Sequence, residues 1–180
     1  MRGEQQEIKK AAATVGATVK GKEEPPFKAI MDRVSKEGKA PKDVLGLTDA
    51  MIEGIYGQAY RLYNTGKYQD ASRIFRLLLM INASEPKYAM GFAACFHMAK
   101  EYKAAVDAYM LAANLDPGNP IPFFHASDCY IQLKDPVSAT VALQMVVKRS
   151  GDKPEYKTIK DRAVMSIEGL KKEIAQLTKL

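Results

Sequence analysis

Positions 34 residues apart in the middle of this chain carry similar side chains. Tyr68-Gln-Asp-Ala71 is followed at that interval by Tyr102-Lys-Ala-Ala105, and again by Pro136-Val-Ser-Ala139. The register extends to other sites. Ala59, Ala93 and Ser127 are all small, whereas Leu62, Phe96 and Tyr130 are all large. Phe75, Tyr109 and Leu143 keep the same step, as do Leu78, Ala112 and Val146. Two helices crossing closely need small residues at the crossing and large ones where the gap widens. Repeating both at one register is what a stack of similar helix pairs requires.

A helix–turn–helix unit of 34 residues has the tetratricopeptide spacing. The expected fold is therefore an all-α tetratricopeptide solenoid of three helix pairs, at 52–85, 86–119 and 120–153. Two positions depart from the register. Gln58 stands where Phe92 and Ala126 predict an apolar residue, and Pro136 replaces tyrosine in the third copy.

The flanks complete the organisation. Residues 1–24 carry too little apolar content to pack and are expected to stay disordered. Over 25–51, Pro25-Pro26 opens an amphipathic helix with Phe27, Ile30, Met31 and Val34 on one face. That face cannot bury itself, so it needs the repeats or a second copy of the chain. Gly38 and Pro41 stop this helix, and Thr48 is a candidate N-cap for the first repeat. The segment 154–180 places Ile159, Ala163, Ile167, Leu170, Ile174 and Leu177 at helical spacing. It reads as a capping helix, with a coiled-coil partner surface as the alternative.

Charge and cysteine content narrow the function. The chain is 180 residues long with a net charge of +6. Residues 48–149 hold ten Lys/Arg and nine Asp/Glu, whereas 1–47 hold ten and seven. The repeats are nearly neutral, so the positive excess lies away from the folded aromatics. A nucleic-acid surface would combine the two. Cys95 and Cys129 share one repeat position and read as small buried packing residues of a reduced, cytosolic protein. No apolar run reaches the ~18 residues of a membrane span. No phosphate-binding glycine loop, HExxH or CxxC motif occurs, so no enzyme activity, metal or cofactor is expected. His125 and Asp128 read as a surface hydrogen bond rather than half of a catalytic triad.

The first helix of each pair should line the concave side of the stack. Residues between the inward positions then face a groove. They are Tyr56, Tyr60 and Tyr63 in repeat one, Lys87, Met90, Ala94 and His97 in repeat two, and Phe124, Asp128 and Ile131 in repeat three. Tyrosine and methionine on a concave apolar surface suit an extended peptide with apolar anchors. Each buried leucine-sized anchor contributes roughly 1.5–3 kcal/mol. Ordering the peptide costs about 2–5 kcal/mol, so the groove alone binds weakly. The alternative is a generic adaptor that reads acidic carboxyl-terminal tails, which would need Lys, Arg and Asn in the groove. The first groove helix offers tyrosines and Glu53 instead.

Three segments carry a more specific likeness: residues 55–71 (Ile-Tyr-Gly-Gln-Ala-Tyr-Arg-Leu-Tyr-Asn-Thr-Gly-Lys-Tyr-Gln-Asp-Ala), Met90-Gly-Phe-Ala-Ala-Cys95, and Pro122-Phe-Phe-His-Ala-Ser-Asp-Cys129. Over about residues 30–150 the chain resembles the class II chaperones of bacterial type III secretion, the SycD, LcrH and IpgC group. The resemblance implies a non-enzymatic chaperone that keeps hydrophobic translocator proteins soluble in the bacterial cytosol. A Pro-x-Leu-x-x-Pro type segment of the client would lie in the concave groove, over Tyr56, Tyr60 and Tyr63. It further implies a homodimer formed through the N-terminal helix and first repeat, giving Phe27, Ile30, Met31 and Val34 a partner. Members of the group are usually acidic, so their electrostatics do not carry over to this basic chain.

Overall fold

The computed structural model describes residues 32–177, apart from 33, 37 and 39. Of the predicted N-terminal face, Phe27, Ile30 and Met31 lie outside the described residues, and Val34 is half-buried on a helical segment. Pro41 does not simply end that segment. It begins a one-turn helix, α1 (Pro41–Val44), which packs against the second helix of the first repeat.

Three helix pairs follow. The first comprises α2 (Asp49–Asn64) and α3 (Tyr68–Ile81). The second comprises α4 (Pro86–Met98) and α5 (Tyr102–Leu115), and the third α6 (Ile121–Gln132) and α7 (Pro136–Ser150). From α2 to α7 each helix packs on the next in sequence, so the chain forms a procession of neighbours rather than a closed bundle. Thr48 caps α2 by accepting the Met51 amide at 3.2 Å. Pro136 is accommodated at the first turn of α7, where no intrahelical donor is needed, and Asp135 accepts the Ser138 amide there at 2.9 Å.

The turn inside each pair is the same hydrogen-bonded structure. Lys67 donates to the Leu62 carbonyl and Gly66 to that of Tyr63. Glu101 and Lys100 repeat this on Phe96 and His97, and Asp135 and Lys134 on Tyr130 and Ile131. The motif demands a left-handed residue just past the helix. Glycine fills it in repeat one, with φ +77° at Gly66, but lysine does so later, with φ +62° at Lys100 and +58° at Lys134.

The core follows the repeat register. Ala71, Ala105 and Ala139 are buried at the helix crossings, and Phe75, Tyr109 and Leu143 are buried between them. The departure at Gln58 has a simple cause: no repeat precedes the first, and Gln58 is exposed, accepting a bond from Arg61. After a 3-10 turn (Pro154–Tyr156), α8 (Lys157–Leu177) lies along α7. Its Ala163 and Leu170 are buried with Leu143 and Val146, and Ile159 and Ile167 close the same cluster. This helix therefore caps the exposed end of the third repeat. Among the described residues no helix is long and apolar enough to cross a membrane.

Candidate peptide-binding trough

A cavity of about 560 Å³ opens on the face formed by the first helices of the repeats. Its wall from α2 is the tyrosine row Tyr56, Tyr60 and Tyr63, and its wall from α4 is Lys87, Met90 and Ala94. Ile121, the first residue of α6, also lines it.

The tyrosines are held by one another and by the core beneath. Tyr56 stacks on Tyr60 with centroids 6.5 Å apart, and meets Phe75 edge-on at 6.0 Å and Tyr88 at 5.9 Å. Tyr63 meets Tyr68 at 5.5 Å. Tyr60 remains 53% exposed, so its ring stands open to the trough. Partial burial pushes the Tyr63 phenol up, keeping it a neutral hydrogen-bonding group. Rings immobilised in this way lose little entropy when a ligand packs on them.

Lys87 does not face the trough as a free cation. It forms an ion pair with Glu53, one full repeat away on α2, and its ammonium lies 4.8 Å from the Tyr56 ring centroid. The hydrogen bond that Lys87 donates to Glu53, foremost, raises the Lys87 pKa. Glu85 and Asp116 stand at the rim with Asn119, so the mouth carries more negative than positive charge.

The remaining predicted residues lie elsewhere. His97, Phe124, Asp128 and Ile131 are not part of this cavity. His97 turns toward α5, its Nδ1 standing 3.3 Å from the Tyr109 hydroxyl. Ile131 is exposed near the end of α6. Arg162 of the capping helix lies 5.1 Å over the Phe124 ring. The expected surface hydrogen bond between His125 and Asp128 is absent among the described residues. The His125 ring is half-buried and stacks on Tyr109, centroids 5.4 Å apart and 21° between planes. Burial lowers its pKa, with a smaller opposing effect of Asp128. Burial likewise raises the Asp128 carboxyl, against the opposing influence of His125, His97 and Arg162.

Phe75, Gly91 and His125 were not among the candidates. Phe75 lines the cavity although it is a core residue, because its ring passes beside Gly91, which has no side chain to block it. The sequence signal was present in the register: Gly57, Gly91 and His125 occupy one repeat position, and the third differs in size from the other two. Cys95 and Cys129 are buried free thiols pushed up to about 12 and about 11 by burial, which leaves them unreactive. Among the described residues no three His, Cys, Asp or Glu side chains group to hold a metal.

Known proteins share this architecture. The tetratricopeptide repeat family matches residues 52–84 and 86–119. The chain is 32% identical to the chaperone protein SicA of Salmonella typhimurium over 142 residues, 79% of this chain and 83% of SicA. SycD of Yersinia enterocolitica, solved in complex with a peptide of the translocator YopD, is similar at a TM-score of 0.66 and 27% identity, covering 70% of this chain and 96% of that one. SycD has also been solved as an alternative dimer. PcrH of Pseudomonas aeruginosa, solved with the chaperone binding region of PopD, is similar at a TM-score of 0.67 and 27% identity, covering 71% and 96%.

Proposed function

The chain belongs to the class II chaperones of type III secretion, and on that premise we propose that it holds a hydrophobic translocator protein soluble in the bacterial cytosol before secretion. An extended, Pro- and Leu-containing segment of the client lies in the trough, against Tyr56, Tyr60, Met90 and Ala94. The chain acts by binding rather than by catalysis, and as a homodimer.

One observation carries this reading: an open, aromatic-walled cavity on the first helices of the repeats, in a chain related to chaperones solved with translocator segments. Its chemistry suits apolar anchors, since tyrosine and methionine supply adaptable contact area with few charges to desolvate. It does not suit an acidic tail. A carboxylate clamp needs free cations, and here Lys87 is engaged by Glu53 while Glu85 and Asp116 sit at the mouth.

Co-expression with hydrophobic translocators from the same secretion system tests the proposal. The expected result is a soluble complex recovered by pull-down, with the translocator insoluble when expressed alone. A translocator equally soluble without the chain, or never recovered with it, would overturn the proposal.

A further inference from the structure

The repeats permit an internal comparison. Phe75 and Gly91 form a pair across the first and second repeats, and Tyr109 and His125 are the same pair one repeat later. At the first position the glycine presents no side chain, so the Phe75 ring lies against its backbone and both line the cavity. At the second, a side chain stands where Gly91 has none, the ring of His125. It stacks on Tyr109, and His97 lies 6.4 Å from it with its Nδ1 near the Tyr109 hydroxyl. Neither Tyr109 nor His125 lines the cavity, to which α6 contributes Ile121.

We propose, taking the trough as the client's site, that His125 is a specificity-determining residue: its ring plugs the interval between the second and third repeats and confines the client's bulky apolar anchors to the side of Gly91. The plug is held by the rings of Tyr109, His97 and Phe124 rather than by a flexible chain, so a ligand does not displace it cheaply. Phe124 meets it edge-on at 6.0 Å. The client segment selected by such a trough places its large apolar side chains in one stretch. Where it crosses α6 it carries small or polar residues. Neighbouring helices lie about 8–10 Å apart and an extended chain advances about 3.3 Å per residue, so the boundary falls about three residues from the anchor.

Nuclear magnetic resonance titration of the full chain tests this, because it reads weak binding. The probes are the nonapeptide Ser-Ser-Pro-Ala-Leu-Ala-Ala-Pro-Ser and two versions with a second leucine four positions before or after the first, just past that boundary, which leave both prolines in place. The wild-type chain should bind all three within about twofold. His125→Gly should bind one of the two-leucine versions at least about fivefold more tightly than the single-leucine peptide, since a newly buried leucine contributes strongly. His125→Ala should show a smaller gain in the same direction, with less cost to the helix. His125→Phe keeps a ring in place and should retain the wild-type ratio. A fivefold gain in the wild-type chain, or an unchanged ratio in both His125→Gly and His125→Ala, would overturn the inference while leaving the trough as the binding site. No binding of the single-leucine peptide by the wild-type chain would overturn both.

Discussion

The ring of Phe75 occupies the place where a side chain at position 91 would begin. A β-carbon built on Gly91 falls 2.3 Å from Phe75 Cε1 and 2.4 Å from Cζ. Phe75 is only 2% exposed, so its ring cannot move aside freely.

Gly91→Ala should therefore destabilise the fold, although alanine is the better helix former by about 1 kcal/mol. Overpacking in a dense core costs about 1–3 kcal/mol and should dominate. In a Phe75→Leu background the same change should become neutral or stabilising. Urea denaturation of the four chains of this double-mutant cycle measures the coupling. Additive effects would show that the two positions do not compete for space.

Tyr60 and Met90 stand on opposite walls of the cavity. Tyr60→Ala combined with Met90→Ala should weaken binding of a Pro-x-Leu-x-x-Pro peptide at least about tenfold, the loss of about 1.4 kcal/mol or more of contact. The exposed Tyr60 contributes little to folding, so the thermal midpoint of Tyr60→Ala alone should fall by less than about 2 °C. Calorimetry and thermal melting give the two readouts. Undiminished affinity in the double variant would remove the trough from the mechanism.

His125 makes the fold sensitive to mild acid. Burial sets its folded pKa below the ordinary 6.5, so the unfolded chain takes up the proton more readily. Stability should thus begin to fall as pH drops through 6.5, and the loss should be complete below the folded pKa. Asp128 acts with the opposite sign at lower pH, because its raised pKa makes the folded state the better proton acceptor there. The stability difference between wild type and His125→Phe should shift in favour of the variant between about pH 7 and pH 5. Denaturant titrations across that range check the slope. A constant difference would show that His125 does not titrate differently on folding.

Lys100 and Lys134 hold a conformation that Gly66 holds without strain. A left-handed backbone costs a residue with a β-carbon roughly 1–2 kcal/mol, partly offset by the greater entropy of unfolded glycine. Lys100→Gly and Lys134→Gly should each stabilise the chain by about 0.5–1 kcal/mol. Gly66→Ala should cost about 1 kcal/mol. Chemical denaturation distinguishes the two directions directly.

Deletion of residues 1–37 should lower self-association, since it removes the apolar set Phe27, Ile30, Met31 and Val34. Sedimentation velocity of the full and shortened chains reads the change. An unchanged distribution would move the dimer contact elsewhere.

Helix identity and repeat register were legible in the sequence because both are periodic. Each of Ala71, Ala105 and Ala139 meets the same neighbour one helix away, so a burial pattern of 34 residues is written directly into side-chain size. Tyr56, Tyr60 and Tyr63 could be assigned to one face for the same reason, as positions 4 and 3 apart on a helix share a side. Gln58 and Pro136 looked like defects in that pattern. Each is accounted for by its location, at a repeat with no predecessor and at a helix start.

Order along the chain determined which helices pair and which face each tyrosine occupies. Only the folded molecule decided how far the trough extends, because that depends on which ring enters a shared gap. Phe75 reaches the cavity past Gly91, and Tyr109 does not pass His125, although both pairs obey one spacing. Spacing sets where a side chain starts from the backbone, whereas close packing in three dimensions sets where it ends.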